Sequence, residues 1–185
     1  MQRDQLDADG RTLWDSMTES RGAGIVNADG GLVGPFNAWV TASDVGRRLV
    51  DLGGALRFRT SIDRRLTEVA IITTGARWKA EFEWWAHARM AREFGVTDEV
   101  VDAIGRADAA PPFPNDDERV VHAIATQLGA DGRIDASTYE AGQKLLGDRG
   151  MVELVALCGY YTLVSFTLNA FEVALPNGVS PMWPS

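Results

Sequence analysis

Apolar residues recur at helical spacing along most of this chain, and no segment shows the sustained apolar and polar alternation that is typical of strands. The glycine-rich stretch 21–34 predicts an irregular connection. The apolar pattern of residues 36–52 predicts two short helices. Three apolar residues near the amino terminus predict a first short helix: Leu13, Trp14 and Met17. The pattern therefore predicts an all-α architecture with several helices.

The central part of the chain predicts a helical hairpin. Residues 62–74 form an almost continuous apolar helix pattern, and residues 79–93 follow with an aromatic one that ends at Gly95. Thr97 is then expected to cap the next helix, because its hydroxyl can accept a hydrogen bond from a free backbone N–H group.

Three further helices are predicted towards the carboxyl terminus. Asn115 followed by Glu118 resembles a capping box, which would begin one helix after a proline-rich linker. Asp135 is expected to begin the next helix, and a long apolar helix starts at Met151. We therefore divide the chain into an N-terminal helix and irregular segment (1–34), one helical domain (35–175) and an irregular tail (176–185).

Composition limits the classes of function. The 185 residues carry a net charge of −8 and no basic cluster, which argues against a nucleic-acid partner. The amino terminus lacks the apolar core of a secretory signal. The most apolar stretch, 152–175, is interrupted by Glu153, Asn169 and Glu172, so a buried helix is favoured over a membrane span. We expect a cytoplasmic protein that does not insert into membranes.

The candidate chemistry lies in the aromatic helix. Glu83 and His87 are separated by four residues, so both side chains face the same way, about 6 Å apart along the axis. Phe82, Trp84 and Trp85 flank the pair, as expected for a helix that lines an apolar pocket or packs on several sides. A surface ion pair or a hydrogen-bonded core histidine is the simpler interpretation of such spacing.

Glu68 is the third candidate, because it lies among apolar residues near the start of the preceding helix. A buried carboxylate needs a partner or takes up a proton. His87 is the natural partner if the two helices pack antiparallel, and Glu68 would then orient the imidazole. The competing partners are arginines: Arg64, Arg65 and Arg77.

Several separated segments resemble the carboxymuconolactone decarboxylase-like family, which also contains alkylhydroperoxidase D. The resemblance covers nearly the whole chain and implies an alkylhydroperoxidase D-like all-helical fold, assembly as a homo-oligomer (trimer or hexamer) and a pocket near the motif helix. The matching segments occur in the family's order: residues 34–36, 57–61, 65–68, 83–87 and 153–161.

The chain departs from the peroxidase branch of this family. That branch has a Cys-x-x-Cys pair four and seven residues before the histidine, whereas this chain has Glu83 and Ala80 there. Its single cysteine, Cys158, lies in an apolar helix and is interpreted as a small buried hydrophobe. The resemblance therefore implies the lyase side of the family, whose namesake needs no organic cofactor.

Our hypothesis is acid–base catalysis, without cofactor or metal, on a small organic acid or lactone. His87 would act as general acid or base, Glu68 would orient it, and Glu83 would act as a second base or position a water molecule. Candidate residues around the substrate fall into three groups. Hydrogen-bond donors are Tyr160, Tyr161 and Asn169; apolar walls are Phe36, Trp39, Trp84 and Trp85; cations are Arg57, Arg59 and Arg77.

Three alternatives remain at this point. Glu68, Glu83 and His87 could bind iron, manganese or zinc, since two carboxylates and an imidazole suit these ions. The domain could instead be a non-catalytic binding or oligomeric scaffold of the same fold. A hydroperoxidase that works without the dithiol is the third, and it has the least chemical support.

Overall fold

The computed structural model describes residues 1–183, which form helices joined by turns and short irregular segments. Apart from one isolated bridge between Val26 and Leu32, these residues form no β-structure, so the predicted all-α architecture is confirmed. The α-helices in chain order are α1 (Ala8–Arg21), α2 (Phe36–Trp39), α3 (Ser43–Phe58), α4 (Arg64–Arg77), α5 (Glu81–Glu93), α6 (Asp98–Gly105), α7 (Asp116–Asp131) and α8 (Ala136–Ala170). Short 3-10 turns cover Arg3–Gln5, Ala23–Ile25 and Val40–Ala42.

Helix α4 lies at the centre of the fold. Every residue from 66 to 75 is buried, because α5, α6, α7 and α8 pack around this helix. Its two buried central threonines are satisfied locally: the hydroxyls of Thr73 and Thr74 donate to the carbonyls of Val69 and Ala70. A helix held on all sides is a rigid support for Glu68, which lies in its second turn.

Two hydrophobic cores can be distinguished. The larger core surrounds α4 and contains buried side chains from α3 through α8. A smaller core joins α1 to the segment before α3, and it is built from Leu6, Leu13, Trp14, Met17, Ile25, Leu32 and Val40. Phe36 and Val50 contact both cores. The amino-terminal segment is thus attached to the main bundle through a separate apolar cluster.

Most predicted helix starts agree with the structure. The hydroxyl of Thr97 accepts a hydrogen bond from the Val100 N–H group, and the carboxylate of Asp135 accepts one from Thr138. The predicted capping box at Asn115 is wrong. Asn115 precedes α7, but its side chain makes no capping hydrogen bond. Glu118 turns away from it because its carboxylate is paired with the guanidinium of Arg65.

Helix α8 is interrupted at Gly147, whose φ of 66° is not helical. This agrees with the sequence prediction of a boundary before the long apolar helix. Within residues 1–183, α8 is the one helix long and apolar enough to cross a membrane by length and composition. In its most apolar window 44% of the residues are buried, and core helices pass the same test, so this is weak evidence for a span.

The tail after residue 175 is irregular as far as residue 183; Pro184 and Ser185 lie outside the described residues. It is anchored to the start of α5, where the carboxylate of Glu81 accepts hydrogen bonds from the backbone N–H groups of Met182 (2.8 Å) and Trp183 (2.6 Å). The Trp183 indole donates to the carbonyl of Gly105 at 2.9 Å. The tail thereby holds the first turn of the helix that carries Glu83 and His87.

Candidate active site

A cavity of about 160 Å³ lies between α3, α5, α8 and the end of α1. Glu83 and His87 project into it from α5, and it is otherwise lined mainly by aromatic side chains. A larger cleft of about 660 Å³ lies beside it, and Phe82 lines both. The smaller cavity is the candidate active site, because Glu83 and His87 line it together with Tyr160 and Tyr161.

Glu68 and His87 form a tight buried pair. Glu68 is fully buried, and its Oε2 lies 2.6 Å from Nδ1 of His87. Its other oxygen accepts a hydrogen bond from Arg64 at 3.0 Å. Both partners considered from the sequence, the histidine and an arginine, therefore bind this carboxylate. Arg64 supplies the balancing charge, since an unpaired carboxylate at this depth would be unfavourable.

Glu83 lies on the opposite side of the imidazole. Its Oε1 is 3.2 Å from Nε2 of His87, but the two groups are not aligned as a hydrogen bond, and Oε1 has no partner in the described residues. Burial raises the pKa of Glu83, while the charges of His87 and Arg57 oppose the rise. A buried carboxyl group with a raised pKa beside an imidazole is suited to exchange protons near neutrality.

These contacts define the roles of the two imidazole nitrogens. The carboxylate of Glu68 accepts a hydrogen bond, so we assign the imidazole proton to Nδ1. Nε2 then carries the lone pair, and it faces Glu83 and the cavity. The three side chains form a line in which Glu68 orients the His87 ring, and both Glu83 and His87 line the cavity.

The same line does not suit the metal alternative. Glu68 lies at Nδ1 and Glu83 lies at Nε2, so the two carboxylates contact opposite edges of the ring and cannot meet at one ion together with it. Both oxygens of Glu68 are already engaged. Within residues 1–183, no group of three ligand side chains has an arrangement suited to a metal.

Aromatic side chains form the predicted wall in part. The rings of Phe36 and Trp39 meet edge to face at 5.6 Å, and Trp39 and Tyr160 lie 6.4 Å apart. Tyr161 packs edge-on against His87, with ring centroids at 5.1 Å. All four line the cavity, and their contact with a ligand stays a prediction.

The two tyrosines can act as neutral donors. Burial raises the pKa of both hydroxyls, and the neighbouring Glu83 raises them further, so the phenols stay protonated. Gly53 of α3 makes room for one of them, since a Cβ atom at this position would lie 2.2 Å from the Tyr160 hydroxyl oxygen. A small residue in mid-helix was the sequence signal for this close approach.

Trp84 does not form the wall predicted from the sequence. Successive helix residues point about 100° apart, so Trp84 faces away from the cavity that Glu83 enters. It packs instead against Trp183, with ring centroids 5.4 Å apart. Trp85 also lies outside the cavity, with its ring tilted against that of Phe82 at a centroid distance of 5.3 Å. Phe82 takes the place in the wall that was expected of these tryptophans.

Asn169 is likewise not brought to the cavity. Its amide Nδ2 donates to the carbonyl of Trp78 at 2.8 Å, just after the end of α4. The Trp78 indole donates to Thr162 at 3.2 Å. Asn169 therefore fixes the turn between α4 and α5, a structural role that the sequence did not separate from ligand contact.

One of the three candidate cations lines the cavity. Arg57 of α3 does so, whereas Arg59 is exposed outside it and Arg77 donates to the Gly129 carbonyl at 3.0 Å. Arg21, at the end of α1, also lines the cavity. No sequence pattern pointed to Arg21, because the residue lies at an ordinary polar helix end, far along the chain from Glu83 and His87.

The remaining ionisable candidates lie elsewhere. Cys158 is buried outside the cavity, and burial raises the pKa of its thiol to about 12. His122 packs against Phe113, and burial lowers its pKa to about 4. Ala80 is fully buried immediately before α5.

Comparison with known proteins extends the sequence resemblance. Residues 43–125 match the model of the Carboxymuconolactone decarboxylase family. This match covers 83 of the 185 residues, somewhat less than half of the chain. The family resemblance predicted from the sequence is thereby confirmed, and the matched segment contains Glu68, Glu83 and His87. No protein with a curated description matches the chain.

Two solved structures share the fold of this chain. One is described as an alkylhydroperoxidase AhpD core, an uncharacterized peroxidase-related protein from Ralstonia eutropha JMP134; it has 14% identity and a TM-score of 0.73, covering 96% of this chain and 90% of that one. The second is a protein of unknown function from Agrobacterium tumefaciens, described as a candidate antioxidant defence protein; it has 11% identity and a TM-score of 0.65, covering 76% of this chain and 96% of that one. At such identities the likeness establishes the fold alone.

The family segment and the cavity do not coincide. The matched residues supply Glu83, His87 and Arg57, whereas Arg21, Trp39 and the tyrosines of α8 lie outside residues 43–125. The three candidate ionisable groups thus belong to the part that matches the family model, and several residues of the cavity wall lie beyond it.

Proposed function

We propose that this protein is an enzyme that catalyses proton transfer, with decarboxylation as the leading reaction, on a small organic acid or lactone without a cofactor. The carrying observation is the environment of Glu83: a buried carboxyl group with a raised pKa and an oxygen without a partner, facing a cavity beside Nε2 of His87. Leaving such an oxygen unpaired is unfavourable, and active sites are where this is commonly found.

The chemistry follows from the placement of the groups. In a decarboxylation, the bond to the carboxylate carbon breaks, CO₂ leaves, and the bonding electron pair passes into the adjacent carbonyl as an enolate. A proton from the Glu83 carboxyl group then bonds to the carbon, and Nε2 of His87 can accept a proton from water and return it to the Glu83 carboxylate. The hydroxyls of Tyr160 and Tyr161 can donate to the enolate oxygen, which stabilises the developing negative charge.

Deuterium exchange tests this proposal directly. The protein would be incubated in D₂O with a panel of β-keto acids and unsaturated lactone acids, and incorporation and CO₂ release would be followed by NMR. We expect at least one substrate to incorporate deuterium, and we expect His87→Gln and Glu83→Gln to abolish the incorporation. Absence of exchange and CO₂ release across the panel would contradict the proposal and favour a non-catalytic scaffold.

Peroxide reduction is the main competing activity, because one solved structure of similar fold is described as peroxidase-related and the other as a candidate antioxidant defence protein. A thiol peroxidase needs a reactive thiolate, and Cys158 has a buried thiol with a raised pKa outside the cavity. We therefore expect no difference in peroxide reduction between the native protein and Cys158→Ser. Loss of a native peroxidase activity in that variant would overturn this expectation.

We also propose that the chain forms a homo-oligomer. Helix α8 exposes an apolar stripe at helical spacing: Val152, Val155, Leu163 and Phe166. The family resemblance suggests a trimer or hexamer, and we expect a cytoplasmic location and neither nucleic acid nor membrane as a partner. Light scattering tests the oligomer, and Val152→Lys, on the most exposed member of the stripe, should shift the mass towards the monomer.

A further inference from the structure

Two guanidinium groups line the cavity without an ion-pair partner. Arg57 reaches it from α3, and its buried Nε has no hydrogen-bond partner among the described residues. Arg21 reaches it from the end of α1, with its guanidinium carbon 5.0 Å from the centre of the Phe36 ring. No ion pair within residues 1–183 involves either side chain. Elsewhere in the fold, buried or half-buried arginines such as Arg64 and Arg65 meet carboxylates.

The two arginines are close enough to influence each other. Burial and the charge of Arg57 lower the pKa of Arg21. Arg57 also lies within electrostatic range of Glu83, since its charge opposes the rise in the pKa of that carboxyl group. Two cations that converge on one cavity repel each other, and a bound anion would relieve the repulsion. The cavity lining thus carries two cationic side chains, Arg21 and Arg57, that suit an anionic ligand.

The cavity also limits the size of the anion. Its volume is about 160 Å³, and an engineered protein cavity of about 150 Å³ is known to bind benzene. The aromatic rings of Phe36 and Trp39 offer flat apolar contacts. A carboxylate attached to one ring, or to a chain of similar size, fits both the volume and the walls.

We propose that Arg21 and Arg57 form a carboxylate clamp that selects the ligand and aims it at Glu83 and His87. This inference rests on the proposed function for the identity of the site, and it adds the residues that determine specificity. The carboxylate would accept charge-assisted hydrogen bonds from the two guanidiniums while the ring lies against Trp39. Arg21 is the distinctive part of the clamp, because it lies outside the segment that matches the family.

Calorimetric titration with benzoate and its neutral counterpart benzamide tests the clamp without turnover. We expect the native protein to bind benzoate at least about tenfold more tightly than benzamide, since a charge-assisted hydrogen bond contributes about 1.5–3 kcal/mol. Arg21→Gln and Arg57→Gln should each remove most of that preference and leave benzamide binding unchanged. Arg21 is exposed at the end of its helix, so its variant should fold even if the Arg57 variant does not.

Arg59→Gln is the matched control, because Arg59 follows α3 but is exposed outside the cavity. It should bind both probes as the native protein does. Equal binding of benzoate and benzamide, or an equal loss in Arg59→Gln and Arg21→Gln, would overturn the clamp. The native protein separates the two proposals: a benzoate preference with no deuterium exchange on any acid supports the clamp and contradicts the catalytic function. Exchange without benzoate preference contradicts the clamp alone.

Discussion

Helix α4 is flanked by two clusters of charged side chains, each around one buried glutamate, and only one of the clusters reaches a cavity. On the side of α7, Glu118 and Asp117 meet the guanidinium of Arg65, and the Arg65–Asp117 contact is 2.6 Å. On the side of α5, Glu68 meets Arg64 and His87. Both clusters contain a fully buried glutamate held by an arginine of the first turn of α4. Only the second continues into a cavity, through His87 to Glu83.

The difference shows that an unsatisfied oxygen does not by itself mark a functional site. One oxygen of Glu118 and one of Glu83 both lack a hydrogen-bond partner. Glu118 has its charge balanced by Arg65, which it contacts directly. Glu83 has a raised pKa, contacts no arginine in an ion pair, and faces open space. Access and the absence of a balancing cation distinguish the proposed reactive group from the structural one.

The largest effect is expected from breaking the structural cluster. Arg65→Met leaves the fully buried Glu118 without its cation, and removal of one partner from a buried ion pair destabilises a fold by about 3 kcal/mol or more. Denaturant unfolding followed by circular dichroism would measure the loss. Native deuterium exchange by the fraction that remains folded should persist. A change in free energy of unfolding below about 1 kcal/mol would show that this cluster is not structural.

The next effect is expected in the reactive cluster. Glu83→Gln keeps the shape of the side chain but removes its acid–base function, so the rate of deuterium incorporation should fall about 100-fold or more. NMR of the substrate measures this rate. Glu93→Gln, on the exposed end of the same helix, is the matched control and should keep the native rate. Equal rates in the two variants would remove Glu83 from the mechanism.

The third prediction concerns how the stability of the fold depends on pH through Glu83. Because the folded-state pKa of Glu83 is raised, the native state holds its proton more tightly than the unfolded chain does, and stability falls as pH rises through the folded pKa. Glu83→Gln removes this loss. It should unfold like the native protein at a pH below the usual glutamate range and be more stable above the folded pKa, by about 1 kcal/mol. Thermal melts across pH measure the gain, and a gain that shrinks as pH rises would contradict it.

The smallest effect sets the scale for the others. Arg89 and Glu93 form an exposed ion pair at 3.3 Å on α5. Arg89→Met should change the free energy of unfolding by less than about 0.5 kcal/mol, since exposed pairs of this kind contribute little. The same denaturant measurement checks it beside Arg65→Met. A loss as large as that of Arg65→Met would show that burial does not explain the difference between the clusters.

The grouping of Glu68, Glu83 and His87 could be predicted from the sequence because it depends on local patterns. Glu83 and His87 are spaced to lie on one face of a helix. Glu68 lies in an apolar stretch, so its buried carboxylate needs a partner from a neighbouring element. The all-α fold followed from the same periodicity. These inferences needed only the geometry of one helix and the requirement that buried charges be paired.

The remaining features depend on contacts between distant segments. Arg21 reaches the cavity only because the small amino-terminal core sets the end of α1 beside α3. Trp84 and Asn169 are residue types that commonly line pockets. In the structure, however, Trp84 packs against Trp183, and Asn169 hydrogen-bonds to the turn between α4 and α5. At Asn115, the expected cap failed because pairing with Arg65 draws the carboxylate of Glu118 into the core.

The separate attachment of the amino-terminal segment has a consequence for motion. Amide groups of α4 are enclosed by the main core, so their hydrogen exchange should require unfolding of the whole domain. Helix α1 rests on its own smaller core, and it can exchange through local opening. Such an opening would withdraw Arg21 from the cavity while Glu68 stayed fixed against His87. Local opening of α1 would then let a ligand enter or leave the cavity without moving Glu68, Glu83 or His87.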